Sequence, residues 1–253
     1  MDTEKYLRRI GIEDSELPAN AASLKLLQKK HLLNVPFENL DIHWKRPITL
    51  DTAKFYEKMV GDGRGGFCYE LNGLFNELLR KLGFQTRLVS ARVSDGKGGF
   101  GAEYDHLAII VTIGELEYVA DVGFGAFTAH PLRLVADLEQ EDEIGTFVIR
   151  RFDDGCLEVA KKDGERWQSE YIFKYFGRAL EEFAEMCRFH QTSPESHFTQ
   201  GKVCSLMTEN GRKTLTDKKF IETRNGEKKE TEVNSEDEFN QILAREFHIQ
   251  KIF

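Results

Sequence analysis

The sequence predicts an α+β fold in which helical and strand-forming regions follow one another along the chain. Through residue 83 the apolar residues recur at the spacing of one helix face. From residue 84 they fall in short runs separated by glycine-containing turns, as in antiparallel sheets. After residue 192, short strands are followed by one amphipathic helix. These changes predict three parts, residues 1–83, 84–192 and 193–253, the second being an antiparallel meander or barrel.

The composition is that of an ordinary globular protein. The 253 residues are 40% hydrophobic and 31% charged, with a formal net charge of −8. The negative charge argues against nucleic acid or an anionic membrane as a partner. Residues 1–5 carry no apolar signal segment and no long apolar run follows, so we expect a cytoplasmic protein.

The four cysteines predict free thiols. They are scattered along the chain without a Cys-x-x-Cys pair, at Cys68, Cys156, Cys187 and Cys204. A reducing compartment keeps such cysteines reduced. Their spacing does not match a zinc site, so we expect no metal.

Three helices are predicted before the first cysteine. Apolar residues mark the first within residues 6–10 and the second within residues 24–31. Pro36 makes the segment that follows irregular. Asp51 is placed to cap a third helix that extends to Val60.

A fourth helix begins in residues 64–72, RGGFCYELN, directly after the glycine pair. Gly83 is suited to the left-handed conformation common at a helix end. Cys68 falls in the first turn, beside free N–H groups and the positive end of the dipole, a location that lowers the pKa of a thiol. The glycines would let a substrate approach the backbone. Cys68 is a candidate nucleophile, although a small buried residue would suit the same position.

The rest of the chain predicts strands, two helices and their turns. Strands are expected at residues 86–93, 106–112, 115–122, 146–152, 157–161, 167–173, 203–207, 212–216 and 219–223. Hairpin turns are expected at Asp154-Gly155, Asp163-Gly164, Asn210-Gly211 and Asn225-Gly226. Residues 178–189 predict a helix, and the capping box of residues 235–238 begins another.

The hairpin of residues 106–122 offers a base for the cysteine. A turn centred on Ile113-Gly114 would place His106 directly opposite Asp121, with Cβ atoms about 4.5–5.5 Å apart. An imidazole and a carboxylate at that separation can hydrogen bond, which gives an oriented general base. The alternative is an ordinary cross-strand ion pair, but the apolar neighbours in both strands predict burial.

These segments together resemble the arylamine N-acetyltransferase family. The resemblance is carried by residues 64–72, by the strand that begins at His106 and by residues 121–125, DVGFG. Residues 34–40, NVPFENL, are similar to that family's N-terminal motif. The order and spacing match from residue 34 to about residue 131. After residue 192 only the layout and the Phe198-Thr199 stretch match.

The resemblance implies a helical first domain, a β-barrel second domain and a C-terminal α/β lid around a catalytic core like that of cysteine proteases. It also implies acetyl-CoA as the donor and a ping-pong reaction through an acetyl-cysteine thioester. The implied acceptors are arylamines, arylhydrazines and N-hydroxyarylamines. Carried over to this chain, Cys68 is the nucleophile, His106 is its base and Asp121 orients the base.

Other carried-over residues have alternative explanations. Phe37 and Phe124 resemble family positions that line the acceptor pocket, although packing alone would explain both. Glu38 and Arg64 predict a structural ion pair that braces the cysteine loop. Asn72, one turn below Cys68, is expected to support the site and not to take part in the chemistry. Four histidines have no motif context and are expected to be structural or exposed: His43, His130, His190 and His248.

Two segments are candidates for holding the phosphates of CoA. Residues 202–229 contain eight basic and four acidic residues, a net charge of +4, and include Lys218 and Lys219. The glycine-rich loop of residues 96–101 contains the other candidates, Gly98, Gly99 and Phe100. A solvated charged hairpin would have the same composition as the basic segment.

Three other functions share parts of this pattern. A related amide synthase would keep the triad and close macrolactams on a carrier-bound chain. A cysteine hydrolase of transglutaminase or protease type would use water or a lysine as the acceptor. A binding module would hold only a structural cysteine. Acetylation of Cys68 by acetyl-CoA would separate an acyltransferase from these alternatives.

Overall fold

The computed structural model describes residues 1–14, 16–153 and 155–250 of the chain. Its helices are α1 (Thr3–Arg9), α2 (Ala21–Asn34), α3 (Leu40–His43), α4 (Thr52–Tyr56), α5 (Cys68–Lys81), α6 (Ala184–Thr192), α7 (His197–Gln200) and α8 (Glu236–Phe247). A π-helical turn (Glu57–Gly61) continues α4, and a 3-10 turn (Leu180–Phe183) precedes α6. The predicted helices are confirmed, and the helix expected at residues 178–189 lies slightly later in the chain.

The strands form two antiparallel sheets. They are β1 (Phe37–Glu38), β2 (Gln85–Val93), β3 (His106–Ile113), β4 (Leu116–Ala120), β5 (Leu132–Arg133), β6 (Gln140–Asp142), β7 (Gly145–Asp153), β8 (Cys156–Asp163), β9 (Arg166–Lys174), β10 (Val203–Thr208), β11 (Gly211–Thr216), β12 (Lys219–Arg224) and β13 (Glu227–Glu232). One sheet has the order β5-β4-β3-β2-β9-β8-β7-β6 and curls into a nearly closed barrel. The other has the order β1-β10-β11-β12-β13. The predicted α+β class is confirmed.

The helix caps and turns follow the sequence signals closely. Asp51 accepts a hydrogen bond from the N–H of Ala53 at the start of α4, and Ser235 accepts one from Glu238 at the start of α8. The turn after β12 has positive φ at both Asn225 and Gly226, as a two-residue hairpin turn requires. The turn predicted at Asp154-Gly155 includes Asp154, which lies outside the described residues.

The predicted register of the β3–β4 hairpin is wrong by two residues. Ile113 pairs with Leu116 and Ile109 pairs with Ala120, so the turn residues are Gly114 and Glu115. Gly114 has φ of +61°, which explains why the turn forms one residue later than expected. Strand β4 also ends at Ala120, before the carboxylate that was expected to lie in it.

Four strands were not predicted, because their sequences lack an apolar alternation. β1 and β5 have two residues each, β6 has three, and all six residues of β13 are exposed. Strand β13 forms because its backbone completes the edge of β12, and its charged side chains are compatible with solvent on both faces.

The core places the first turn of α5 between the helices and the barrel. Apolar residues of α5 pack with alternate residues of β3, namely Leu107, Ile109 and Val111, while Ala108 and Ile110 face the barrel interior. Strand β1 joins the second sheet, where Phe37 pairs with Ser205 of β10. The first and third predicted parts therefore share one hydrogen-bonded sheet, and the division into domains at residues 83 and 192 remains a prediction.

Within the described ranges, none of the helices combines the length and the apolar character needed to cross a bilayer.

Candidate active site

A cavity of about 580 Å³ lies where the helices, the barrel and the second sheet meet. Its walls come from distant parts of the chain. They are formed by Phe37, Asn39, Cys68, Val93, Asp105, His106, Gly123, Phe124, His197, Phe198, Gln200, Gly201, Lys202, Val203, Thr216, Asp217 and Lys218. The fold therefore brings Cys68, His106, Phe37 and Phe124, all predicted as site residues, to one space.

Cys68 is the first residue of α5 and is buried. A side chain at Gly65 would collide with the carbonyl oxygen of Pro36, and one at Gly66 would lie 2.8 Å from the Cβ of Glu70. The glycine pair therefore lets the loop pack closely against its own chain, which is a different role from the substrate approach expected from the sequence.

A buried ionic cluster holds the loop before Cys68. Arg64 donates to Glu38 through Nε at 3.0 Å and Nη2 at 2.6 Å, so the predicted ion pair is present, and Nη2 also donates to Asp41 at 3.0 Å. Lys58 lies 2.8 Å from Asp41 and 2.9 Å from Glu70. Glu70 in turn accepts the N–H of Phe67 at 3.2 Å, which caps the helix that begins with Cys68.

This cluster contains one more carboxylate than cations. Burial raises the pKa of Glu70 from 4.5 to about 7, although the ammonium of Lys58 beside it acts in the opposite direction. The cap of the α5 helix is thus a carboxyl group that titrates near neutral pH.

His106 and Asp121 form a short, buried hydrogen bond. Nε2 of His106 lies 2.6 Å from Oδ2 of Asp121, and both side chains are almost fully buried. Asp121 directly follows β4, so the pair forms at the end of the hairpin and not as the opposed cross-strand pair predicted from the sequence. The bond fixes the orientation of the ring. The other ring nitrogen, Nδ1, takes no part in this bond.

Asn72 connects the cysteine helix to this pair. Its amide nitrogen donates to Oδ1 of Asp121 at 2.8 Å and to the carbonyl of Leu107 at 2.6 Å, while its amide oxygen accepts the N–H of Val122 at 2.9 Å. Gly123 also donates to Oδ1 of Asp121, at 2.9 Å. Asn72 therefore lies in the supporting position that was expected from the sequence.

Gly123 brings the Asp121 loop against the nucleophile. A Cβ at this position would lie 2.8 Å from the Cα of Cys68 and 3.0 Å from its carbonyl oxygen. Gln28 of α2 anchors the same loop, since its side-chain oxygen accepts the N–H of Asp121 at 3.1 Å. Sequence reasoning missed Gln28, because nothing in the pattern of α2 distinguishes it from an exposed helical residue.

The environment of Cys68 opposes ionisation of an isolated thiol. Burial raises the pKa of the Cys68 thiol well above its usual value, and the charges of Asp105 and Asp121 raise it further, while the N–H of Leu107 lowers it. The expectation that the helix start alone would lower this pKa is wrong, because desolvation is the larger effect. A thiolate here requires a positive partner in the same cavity.

Phe37 and Phe124 line the cavity as predicted, together with Phe198. The ring of Phe124 lies edge-on to the imidazole of His106 at 5.2 Å between centroids. Phe198 lies 6.2 Å from Phe37 and 5.8 Å from Phe67. The place of Phe198 in the cavity wall was not predicted. The only signal in the sequence was the Phe198-Thr199 resemblance, which is too short to assign a residue.

The candidates for CoA phosphates occupy different places. Lys218 borders the cavity, whereas Lys219 forms an ion pair with Glu230 of the next strand. Gly98, Gly99 and Phe100 do not border the cavity, and the ring of Phe100 packs against Phe152. The lining also includes Lys202, which the sequence placed in the basic segment but did not single out.

The four histidines that were expected to be structural or exposed are held by ordinary partners or lie at the surface. His43 bonds to the carbonyl of Phe198 at 3.0 Å, His130 lies 3.1 Å from Glu143, and His248 caps α8 with φ of +58°. His190 is buried beside the cavity. The sequence did not predict that His190 contacts a carboxylate.

Comparison with known proteins gives relatives along almost the whole chain. The family model described as N-acetyltransferase matches residues 20–251. An arylamine N-acetyltransferase of Escherichia coli is 34% identical over 82% of this chain and 74% of its own. An arylamine N-acetyltransferase / N-hydroxyarylamine O-acetyltransferase of Salmonella typhimurium is 33% identical over 96% of this chain and 86% of its own.

Solved structures share the same fold. The arylamine N-acetyltransferase of Salmonella typhimurium superposes with a TM-score of 0.90 at 29% identity, covering 97% of this chain and 90% of that one. The Mycobacterium marinum enzyme in complex with CoA superposes with a TM-score of 0.89 at 26% identity, covering 98% and 93%. Sequence and structure agree over nearly the full length, and the chain belongs to the arylamine N-acetyltransferase family.

Proposed function

We propose that this chain transfers the acetyl group of acetyl-CoA to an arylamine, arylhydrazine or N-hydroxyarylamine through an acetyl-cysteine intermediate on Cys68. The observation that carries the proposal is the shared cavity. The thiol of Cys68 and the imidazole of His106 both line it, and Nε2 of His106 lies 2.6 Å from the buried carboxylate of Asp121. That is the arrangement of a cysteine nucleophile, its base and an orienting acid. The names of the relatives supply arylamines and N-hydroxyarylamines as acceptors, and arylhydrazines follow only from the resemblance of the sequence motifs.

The first half-reaction begins with transfer of the Cys68 proton to Nδ1 of His106. Asp121 stabilises the resulting imidazolium through Nε2, and the imidazolium stabilises the buried thiolate. The thiolate attacks the carbonyl carbon of the acetyl thioester. The backbone N–H of Cys68, at the helix start, is placed to stabilise the developing oxyanion. CoA leaves as a thiol after it takes the proton from His106, and Cys68 carries the acetyl group.

The second half-reaction uses the same base in the opposite direction. The nitrogen of the acceptor attacks the acetyl-cysteine carbonyl while its proton passes to Nδ1 of His106. Collapse of the tetrahedral intermediate releases the acetylated amine, and the proton returns to the sulfur of Cys68. Each step therefore needs His106 in the orientation that Asp121 and Asn72 impose.

The aromatic wall suits a flat acceptor. Phe37, Phe124 and Phe198 line the cavity together with Cys68, and the rings of Phe124 and His106 make a perpendicular contact. Aromatic rings favour offset or edge contacts with another ring, which would orient the amine of an arylamine toward Cys68.

The basic residues of the cavity wall suit the charged part of the donor. Lys218 and Lys202 line the cavity with Thr216 and Gly201, and Lys218 is exposed. We assign Lys218 to the phosphates of CoA, because an exposed ammonium can approach them without breaking a buried pair. Lys202 already lies 3.2 Å from Asp217, so its charge is partly committed to the protein.

The test is mass spectrometry of the intact protein and its peptides after mixing with acetyl-CoA. We expect one acetyl group on Cys68, its loss when an arylamine is added, and no transfer by Cys68→Ala. Cys156→Ala is the matched control, since Cys156 does not border the cavity, and it should load and transfer normally. Acetyl transfer by a folded Cys68→Ala variant would refute the mechanism. Loading without transfer to any small amine would favour an amide synthase instead.

A further inference from the structure

One short segment supplies a large share of the cavity wall. Residues 197–203 comprise the one-turn helix α7 and the three residues after it, and all of them except Thr199 border the cavity. A helix of four residues is too short to be stable alone, and its last carbonyl groups find no partners within it. The position of residues 197–203, called the α7 segment below, is therefore set by contacts with other parts of the chain.

The side-chain amide of Asn39 holds the α7 segment at three points. Its Nδ2 donates to the carbonyls of Phe198 and Gly201, each at 2.9 Å, and its Oδ1 accepts the N–H of Val203 at 2.8 Å. The backbone N–H of Asn39 also donates to the carbonyl of Val203, at 3.3 Å. Asn39 is only 1% exposed, so backbone groups that lost these bonds would be left buried without a partner, at a cost in free energy.

The three side-chain bonds require an amide at this position. They use two N–H groups on one nitrogen and one accepting oxygen, a combination that only asparagine and glutamine side chains offer on neighbouring atoms. Aspartate has the shape of asparagine but no donor, and its negative charge would face two carbonyl oxygens. The amide of glutamine lies one methylene group further from the backbone.

Phe198 connects this clamp to the aromatic wall. The ring of Phe198 lies 6.2 Å from that of Phe37 and 5.8 Å from that of Phe67, and its carbonyl is also 3.0 Å from Nε2 of His43. Phe37 lies in β1, two residues before Asn39. Asn39 thus joins the strand that carries one ring of the wall to the segment that carries another.

We propose that Asn39 is a positioning residue for acceptor selectivity, which holds Phe198 beside Phe37 so that the aromatic wall accepts an aryl ring. The inference rests on the proposed function, in which these rings contact the acceptor. Among the described residues, the side chain of Asn39 makes no hydrogen bond to Cys68, His106 or Asp121. The chemistry of transfer should therefore not depend on it.

The test compares two acceptors that differ in the ring. The enzyme is acetylated with acetyl-CoA, freed of the donor and mixed with aniline or with hydrazine, a nitrogen nucleophile that has no ring to contact Phe198. Asn39→Asp should lower the ratio of the two second-order rate constants, aniline over hydrazine, roughly three- to tenfold, the range expected for loss of an aromatic contact. The half-saturating concentration of aniline should rise, and the maximal rate should stay nearly unchanged.

Asn34→Asp is the matched control. The side-chain nitrogen of Asn34 also donates to two carbonyls, those of Ile10 at 3.0 Å and Lys30 at 2.9 Å, but Asn34 does not border the cavity. This variant should keep the wild-type ratio of rate constants.

A double-mutant cycle tests whether Asn39 acts through Phe198. Phe198→Ala should lower the ratio as Asn39→Asp does, and the combined variant should lower it little further. An unchanged ratio in a folded Asn39→Asp variant would overturn the proposal, as would an equal loss of rate with aniline and hydrazine. If Asn39→Asp does not fold, Asn39→Ala, which introduces no charge, decides by the same ratio.

Hydrogen exchange separates this outcome from that of the proposed function, because it needs neither acetyl-CoA nor an acceptor. Asn39→Ala should speed amide exchange in a peptide that covers residues 197–203 and leave a peptide that covers residues 68–72 unchanged. Unaltered exchange in residues 197–203 would refute the role of Asn39. Failure of the wild type to load or transfer acetyl groups would instead refute the proposed function.

Discussion

At the scale of single residues, the site depends on which atoms of Asp121 contact which neighbours. Oδ2 contacts His106, while Oδ1 accepts from both Asn72 and Gly123. The carboxylate thus has a partner on each oxygen, and the ring has one defined orientation. Removal of its charge tests the chemistry with little change in shape.

Asp121→Asn should slow alkylation of Cys68 about tenfold or more at neutral pH, because each pKa unit added to the thiol reduces the thiolate about tenfold. Asp121 also repels the thiolate directly, but its 2.6 Å contact with His106 makes the loss of the imidazolium the larger effect. The rate should recover at higher pH, and both half-reactions should weaken. A variant that unfolds at the wild-type temperature and keeps the wild-type pH profile would show that another group orients His106.

At the scale of one element, helix α5 begins on a buried charged cluster. Its cap is Glu70, whose pKa burial raises from 4.5 to about 7. A carboxyl group with a raised pKa in the folded state stabilises the protein fully below the unfolded pKa. That contribution is lost as the pH rises through the folded pKa.

Glu70→Gln should therefore become more stable relative to the wild type as the pH rises from about 4.5 to about 7. The relative gain can reach about 3 kcal/mol and should then level off. The measurement is the free energy of unfolding by urea at several pH values. Glu77→Gln, on the same helix near Arg80, is the matched control and should show no such trend. A stability difference independent of pH for Glu70→Gln would mean that Glu70 stays ionised throughout this range.

At the scale of the whole molecule, donor and acceptor enter a cavity that no single part of the chain encloses. The helices supply Cys68, the barrel supplies His106 and Phe124, and the second sheet with its turns supplies Lys218. The net charge is −8, so the proposed attraction of the donor's phosphates depends on individual cations such as Lys218.

Lys218→Glu should raise the KM for acetyl-CoA several-fold and leave the rate of deacetylation by an amine nearly unchanged. The effect should shrink with added salt, since exposed charges are screened beyond about 8–10 Å near physiological ionic strength. Lys219→Glu is the matched control, because Lys219 pairs with Glu230 and does not border the cavity, and it should raise this KM much less. Equal effects of the two variants at low salt would place the phosphates elsewhere.

Local signals in the sequence correctly predicted the helices, most of the strands and the position of Cys68 at the start of a helix. Capping residues and hairpin turns act over a few positions, so Asp51 and Asn225-Gly226 could be recognised directly. The contact of His106 with Asp121 was anticipated although the register was wrong. A shift by two residues keeps a side chain on the same face of the sheet, so it could still reach its partner.

Features that depend on tertiary contacts could not be predicted from the sequence. The burial that raises the pKa of Cys68 comes from several elements at once, so the helix start was a poor guide. Lys218 and Lys219 are adjacent in sequence, yet Lys218 lies in the turn before β12 and borders the cavity, whereas Lys219 begins the strand and pairs with Glu230. The contact of His190 with Asp105 joins α6 to a loop before β3, and no spacing rule links them.

The short strand β1 has a consequence for biosynthesis. It pairs residue 37 with residue 205, so the wall that contains Phe37 is completed only after the ribosome has made residue 205. Contacts of such long sequence separation form late, because they require closure of a very large loop. A ribosome-bound chain that has emerged only as far as the barrel already contains Cys68, His106 and Asp121 but lacks the enclosed pocket. The nascent chain therefore carries the proposed nucleophile, Cys68, before it has the complete pocket in which a substrate would be selected.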